Sequence, residues 1–219
     1  MATAFTDISV SPVTTEDPFP DLFAVTAAAF GGQTNDAFWT SIYPGWDTPE
    51  GSARGAERMK AGWRNMQHDK DGRPFTVMLQ ASTPTPDEQG RRIVGVAIWC
   101  QYSVVDGWGV KPLEGSIDHI REKMGLAELY PDDEDRQRYV ARGWQCLTAD
   151  RCKAIQEAST REIPATFVLD ILAVHPDARS EVLLGDWRAG DSRKLTDAVV
   201  SSVPPKDRRW DEACTRSSA

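Results

Sequence analysis

The chain has 219 residues and a mass of 24.3 kDa, and its 33 acidic and 25 basic residues give a formal net charge of −8. This length suffices for one domain with a hydrophobic core that needs no disulfide or metal for stability. The acidic balance argues against nucleic acids and anionic membranes as partners, because both repel a negative protein surface. A composition that is 40% hydrophobic and 26% charged excludes disorder along the whole chain.

The N-terminal segment and the cysteines bear on the cellular compartment. Residues 1–10 lack the basic and apolar regions of a secretory signal, and no stretch approaches the roughly 18 apolar residues of a membrane span. The four cysteines follow neither a Cys-x-x-Cys nor a zinc spacing: Cys100, Cys146, Cys152 and Cys214. We therefore expect a cytoplasmic protein with free thiols and no metal site.

The first third of the chain predicts a strand and two helices. A short strand over 8–10 precedes a helix that begins at Thr14 or Thr15 and ends at the glycine pair 31–32. A loop rich in Pro and Gly follows, and a second helix begins after it and extends to about residue 67. Its N-cap is Thr48, because a hydroxyl residue followed by proline is typical of a helix start.

The remaining elements are a hairpin, two helices and an apolar strand. The hairpin pairs 75–81 with 93–102 across a long polar tip. A helix over 117–129 precedes a longer one over 132–160, whose predicted inward residues are Tyr139, Trp144, Leu147 and Ile155. The segment 166–174 is the most apolar strand, so we expect it at the centre of the sheet and buried on both faces.

This order of elements predicts an α/β (α+β) fold. Several segments also resemble the GNAT superfamily of N-acetyltransferases, in the form common among fungal proteins. The matching segments are, in chain order, 8–13 with the helix that follows, 44–51, 73–77, 92–99, 129–131 and 167–176. The resemblance implies a mixed, mostly antiparallel central sheet flanked by helices, in a single domain over 1–219. Residues 1–176 carry the clear resemblance, and 177–219 form an atypical tail.

The resemblance implies acetyl-CoA as the cofactor. Its pantetheine arm would lie along the strand 166–174, where a β-bulge separates the strand from its neighbour. The backbone groups freed by the bulge would bond the pantetheine amides, and by position they belong to Leu172, Ala173 and Val174. The backbone amide of Val174 would also polarise the thioester carbonyl, which requires no particular side chain.

The pyrophosphate-binding loop of the family departs from its usual place. The family pattern puts a glycine-rich loop directly after the strand, where backbone N–H groups and the helix dipole hold phosphates. In this chain the resembling motif lies further along, at Arg188, Gly190 and Ser192, with the unfavourable Asp191 between the small residues. The family's sheet normally continues beyond the strand that 211–215 resembles, so we expect an incomplete C-terminal part.

Asp170 is the candidate catalytic residue. It lies on the apolar strand near the expected acetyl position, where it would act as a general base, directly or through a water molecule. The alternative is a structural carboxylate bonded to the neighbouring backbone or to an arginine. A nucleophilic arrangement of Cys100, His175 and Asp170 finds no support in their spacing.

A second candidate group lies in the loop between the first two helices, which in this superfamily border the acceptor site. Trp46, Asp47 and Glu50 would form an acidic rim suited to a cationic amine. The alternative is a loop that its tryptophan packs onto the core while both carboxylates are solvated.

Two functions therefore stay open. The resemblance implies an acetyl-CoA-dependent N-acetyltransferase acting on a small amine, impaired in this chain by the altered phosphate loop. The alternative is a non-catalytic remnant of the GNAT fold that binds a ligand or another protein. A hydrolase of another α/β type is disfavoured because the chain has no Gly-x-Ser-x-Gly motif.

Overall fold

The computed structural model describes residues 8–85, 87 and 89–178. Within them a four-stranded antiparallel sheet is flanked by helices, which confirms the predicted α/β class. The elements in chain order are β1 (Ser9–Pro12), α1 (Phe19–Thr26), a π-helix (Ala27–Gln33), α2 (Ala37–Ile42), α3 (Pro49–Arg64), β2 (Thr76–Pro84), β3 (Arg91–Tyr102), α4 (Ile117–Lys123), α5 (Leu126–Leu129), α6 (Glu134–Ala158), β4 (Thr166–Val174) and a 3-10 turn (Pro176–Ala178).

The strands stand in the order β1-β2-β3-β4, and each is antiparallel to its neighbour. Alternate residues of a strand point to opposite faces, so β2 and β3 each contribute to two layers. Met78 and Val96 pack with α1 and α3 in the main core, while Leu79 and Ala97 form a smaller cluster with Val77 and Trp99. The predicted hairpin is confirmed, although its strands reach further and leave 85–90 as the tip.

β4 corrects the prediction of a strand buried on both faces. Among the described residues it pairs with β3 and with no other strand, so it lies at the edge of the described part of the sheet. Leu169 is 36% exposed and Leu172 is 45% exposed. An apolar composition allows a strand to be buried, but it does not fix the position of the strand in the sheet. That position depends on which other segments lie beside it.

The first helix differs from the prediction at its start. α1 begins after Pro18, which holds the N-cap position, and not at Thr14 or Thr15. Beyond Thr26 it continues as a π-helix that ends at Gln33, one residue past the predicted glycine pair. A Cβ on Gly31 would lie 2.7 Å from the ring of Trp46, so this glycine is explained by close packing of the tryptophan.

Two helices have well-defined N-caps. The Thr48 hydroxyl accepts a hydrogen bond from the Gly51 N–H at 3.1 Å, which confirms the predicted start of α3. α2 was not predicted, yet Asp36 caps it by accepting from the Trp39 N–H at 2.7 Å. The Asp36 cap was the available sequence signal for this short helix.

The helical middle of the chain packs as a second cluster around α4, α5 and α6. The predicted single helix over 117–129 is two helices, because Gly125 adopts a left-handed conformation with φ of 64°. On α6, Ile155 is buried and Trp144 is half-buried, as predicted. Tyr139 and Leu147 were wrongly placed inward, since they are 58% and 66% exposed.

Candidate functional site

A β-bulge places Asp170 apart from the rest of β4. Ile98 pairs with Ile171 and Trp99 pairs with Leu169, so Asp170 is the extra residue of the bulged strand. A bulge bends the strand and redirects its side chain. The carboxylate of Asp170 therefore lies at a break in the ladder between β3 and β4.

The Asp170 carboxylate has a partner for each oxygen. The Tyr102 hydroxyl, at the end of β3, donates to Oδ2 at 2.8 Å. Arg151, on α6, forms an ion pair and hydrogen bond with Oδ1 through Nη1. The side chains of Asp170 and Arg151 are 24% and 21% exposed, so this ion pair is largely buried. Of the two interpretations of Asp170, a carboxylate bonded to an arginine describes the geometry of the protein.

Aromatic rings hold Arg151 in place. Its guanidinium carbon lies 5.1 Å from the ring centroid of Tyr102 and 5.4 Å from that of Trp144. Cation–π attraction of this kind restricts the side chain to a few orientations. α6 thus supplies a fixed cation next to the bulge, and Tyr102 contacts both charged partners.

Burial and charge act in opposite directions on Asp170. Burial is the largest influence and raises the pKa of the carboxyl above its ordinary value, while the Tyr102 hydrogen bond and Arg151 lower it. Burial, together with Cys100 and Asp170, raises the pKa of Tyr102 far above its ordinary value. Tyr102 is therefore a neutral hydrogen-bond donor at any physiological pH.

A cavity of about 360 Å³ opens between α3 and the sheet, with Asp170 in its wall. Most of its lining is apolar, and its charged residues among those described are Arg58 and Asp170. The lining residues on α3 and just after it include Arg58, Met59, Gly62, Trp63 and Met66, and those on the sheet include Thr76, Met78, Ile98, Cys100, Tyr102 and Ile171. A pocket of this size accommodates a small organic molecule.

Cys100 does not form a nucleophilic pair with His175. Its thiol lies 3.4 Å from the Thr76 hydroxyl, and burial raises the pKa of the thiol. The ring of His175 accepts from the Asp177 N–H at 3.3 Å. Cys100, Cys146 and Cys152 are free thiols, as predicted, and Cys214 lies outside the described residues.

At two of the three predicted positions, the backbone groups of β4 point away from β3 and toward no other described strand. The His175 N–H donates to the Val94 carbonyl at 2.8 Å. Hydrogen-bonded and non-bonded residue pairs alternate along an antiparallel ladder, so Ala173 also faces β3, whereas the N–H and C=O of Leu172 and Val174 point away from it. The same strand therefore brings these two residues and Asp170 to one edge. Arg188, Gly190 and Ser192 lie outside the described residues.

The loop that was predicted to border the acceptor site does not line the cavity beside Asp170. Trp46 packs against Gly31 and meets the ring of Trp39 at a centroid distance of 6.0 Å, while Asp47 and Glu50 are exposed. None of the three lines the cavity beside Asp170. The structure thus shows a loop that its tryptophan fastens to the core.

Sequence reasoning missed Arg151, Tyr102 and Arg58. A weak signal existed for Tyr102, because Ile98, Cys100 and Tyr102 are spaced two apart and so share one face of β3. No spacing connects Arg151 to Asp170, since the two residues belong to different elements that meet only in the fold.

The described residues contain no cluster of His, Cys, Asp or Glu able to hold a metal ion. α6 is long, with 25 residues, but it is polar, and none of the helices in the described part combines the length and hydropathy needed to cross a membrane. In comparisons with known proteins, the chain matches no family model, no curated protein and no solved structure.

Proposed function

We propose that the protein is an N-acetyltransferase that transfers an acetyl group from acetyl-CoA to a small amine. The bulge at Asp170 is the observation that carries the proposal. It puts a carboxylate of raised pKa next to a ligand-sized cavity, on a strand whose outward backbone groups no described strand engages. This combination supplies a base, a space for the amine and hydrogen-bonding groups for the donor on adjacent parts of one strand.

The residues present fit the pantetheine arm of the donor. The edge of β4 offers the N–H and C=O groups of Leu172 and Val174, which no described strand engages. Pantetheine carries two amides, and an unpaired strand edge is the backbone surface on which amides find both donors and acceptors. Bound acetyl-CoA supplies the acetyl group as a thioester, which is activated toward attack by an amine.

Asp170 acts as the base in this proposal. An oxygen of its carboxylate accepts the proton that the amine loses on forming the C–N bond, directly or through water. A raised pKa suits this task because it brings the carboxyl closer to the operating pH. The outward N–H of Leu172, two residues from Asp170, donates to the carbonyl oxygen as negative charge develops there. The bond between the acetyl carbon and sulfur breaks, and the released thiolate takes up a proton from solvent.

A second candidate function is that of a ligand-binding protein of the same fold that catalyses no reaction. The two partners of Asp170 favour it, since both carboxylate oxygens are engaged by Tyr102 and Arg151. A carboxylate held in this way is a fixed structural anion unless substrate binding displaces one of its partners.

Thermal unfolding of the full chain with acetyl-CoA tests the proposal. A ligand that binds only the native state stabilises it and so raises the melting temperature. At a ligand concentration of a hundred times the dissociation constant, the added stability is about 2.7 kcal/mol. We expect a rise with acetyl-CoA, and thiol release when amines are added. No rise at millimolar acetyl-CoA would overturn the proposal. A rise without thiol release across a broad amine panel would establish the binding protein instead.

Two variants at one position test the donor site more sharply. Val174→Pro removes the outward N–H, which the pairing with β3 does not use, and proline is tolerated at a strand edge. We expect it to abolish the acetyl-CoA-dependent rise in melting temperature. Val174→Ala keeps the N–H and should retain the rise. Equal responses of the two variants would show that this N–H does not contact the donor.

A further inference from the structure

The cavity beside Asp170 is apolar over most of its wall. Its hydrophobic lining comes from α3 with the residues just after it and from all three longer strands: Met59, Trp63, Met66, Met78, Ile98 and Ile171. Three of these side chains are methionines, which adapt their shape to an irregular ligand. Such a lining favours a ligand with an aromatic or comparably apolar body, because its surface is removed from water on binding.

The described wall of the cavity carries one carboxylate, that of Asp170. Tyr102 and Arg151 each engage one of its oxygens, but a carboxylate has about four lone-pair sites, so it is able to accept further N–H donors. The neighbouring Cys100 and Tyr102 are neutral because burial raises the pKa of both. Within this wall a ligand cation has one anionic group to pair with, and it would share that carboxylate with Arg151.

A fixed cation also lies in the wall. The Arg58 guanidinium donates to the Ile42 carbonyl at 2.7 Å and to the Met124 carbonyl at 3.1 Å, and it lies 5.7 Å from the ring centroid of Tyr43. These contacts join α3 to the end of α2 and to the residue that follows α4, so Arg58 is held in place. A second positive charge on the ligand would meet this cation in a space of about 360 Å³.

We propose that this cavity binds a small monoamine with an aromatic or comparably apolar body, its single ammonium group paired with Asp170. If the protein is an acetyltransferase, as proposed above, this cavity is the acceptor site, and the amine nitrogen lies at the bulge next to the open edge of β4. The acceptor site then differs in position from the one expected at Asp47 and Glu50, both of which lie outside the cavity. Diamines are excluded by Arg58, and bulky amines by the volume.

Calorimetric titration of the full chain without acetyl-CoA tests the chemical class. The probes are 2-phenylethylamine, its uncharged analogue 2-phenylethanol and the diamine 1,4-diaminobutane, which has no aromatic body. We expect 2-phenylethylamine to bind at least about tenfold more tightly than either. The alcohol lacks the charged hydrogen bond to Asp170, and the diamine lacks an apolar body and brings a second positive charge toward Arg58. Equal affinity for the alcohol, or tighter binding of the diamine, would overturn the proposal.

Gly62 lies at the exposed rim of the cavity, where a larger side chain narrows the entrance without a clash. It lies on α3 and lines the cavity, and a Cβ there would meet no described heavy atom within 4 Å outside its own helix turn. Gly62→Leu should weaken 2-phenylethylamine binding at least about tenfold, since its branches occupy the ligand space. Gly62→Ala, the matched control, should bind nearly as the wild type does. Unchanged affinity in Gly62→Leu would place the ligand outside this cavity.

Carboxylate-to-amide variants test the ionic contact. Asp170→Asn should weaken 2-phenylethylamine binding to the level of 2-phenylethanol, whereas Asp47→Asn, in the exposed loop, should not change it. The reverse result would assign the amine to the Trp46 loop and overturn the proposal. Amine binding without any acetyl-CoA binding would refute the acetyltransferase and leave the proposed amine site in the cavity standing. Acetyl-CoA binding without amine binding would refute the amine site and leave the acetyltransferase standing.

Discussion

The Tyr102 hydroxyl donates a hydrogen bond to Oδ2 of Asp170 at 2.8 Å, and this contact joins the end of β3 to the bulge of β4. The two residues are not cross-strand partners in the ladder, in which Tyr102 pairs with Thr166. By the alternation of the strand, Asp170 shares the face of Thr166 and Val168, whose partners are Tyr102 and Cys100. The bulge therefore lies at the residue whose carboxylate lines the cavity and contacts Arg151.

The raised pKa of Asp170 predicts a specific pH dependence of stability. Its folded-state pKa lies above the ordinary value of 3.8, so the folded protein holds the proton more tightly than the unfolded chain does. The stabilisation from this group is complete below the ordinary pKa and is lost as the pH rises through the folded-state value. Asp170→Asn cannot titrate. Its free energy of unfolding relative to the wild type should therefore increase over this window and then stay constant.

Urea unfolding of both proteins between pH 3.8 and neutrality measures this difference, and carboxyl NMR of Asp170 gives the pKa directly. Other carboxylates, such as Glu16, whose pKa its hydrogen bond with Arg64 lowers, are common to both proteins and cancel in the difference. A measured Asp170 pKa at or below 3.8 would contradict the prediction.

Removing the arginine should raise the Asp170 pKa further. Arg151→Met leaves the half-buried carboxylate without its cation, and we expect a loss of about 1–3 kcal/mol of stability at neutral pH. Arg151→Lys keeps the positive charge but loses the planar fork and its stacking on Tyr102 and Trp144, so its effect should be smaller. Urea unfolding and carboxyl NMR measure the two effects. A pKa unchanged in Arg151→Met would show that the ion pair does not govern Asp170.

Two glycines of α3 should respond oppositely to the same substitution. A Cβ at Gly55 would lie 2.1 Å from Cζ of Phe23, so Gly55→Ala must displace α1 and should cost about 1–3 kcal/mol. Gly62 has open space at the corresponding position, and Gly62→Ala should stabilise the protein by up to about 1 kcal/mol through helix propensity. Chemical denaturation of both variants is the measurement. Similar effects at the two sites would contradict the observed packing of α1 on α3.

A second pair of variants tests which face of α6 packs against the core. Ile155 is 1% exposed and packs beneath β3 and β4, so Ile155→Ala should cost about 2–5 kcal/mol. Leu147 is 66% exposed, and Leu147→Ala should change stability by no more than about 0.5 kcal/mol. Melting temperatures and urea midpoints distinguish the two. A large loss in Leu147→Ala would mean that this side chain is covered in solution.

The elements predicted well depend on interactions close in the chain. Thr48 caps α3 through a residue three positions away, and the β2–β3 hairpin pairs neighbouring segments. The start of α1 and the break at Gly125 are equally local, yet they were misjudged. In both places several residues able to cap or end a helix compete, and packing selects among them.

Local patterns were enough to predict the α/β class, the hairpin, most of the helices and the position of Asp170 on an apolar strand. These follow from the periodicity of apolar residues and from short-range hydrogen bonds. The place of β4 at the edge of the described sheet, the exposure of Leu147 and the contacts of Asp170 with Arg151 and Tyr102 became known only from the three-dimensional structure. Burial and ion pairing across elements depend on contacts between distant segments, and no local pattern marks a one-residue bulge.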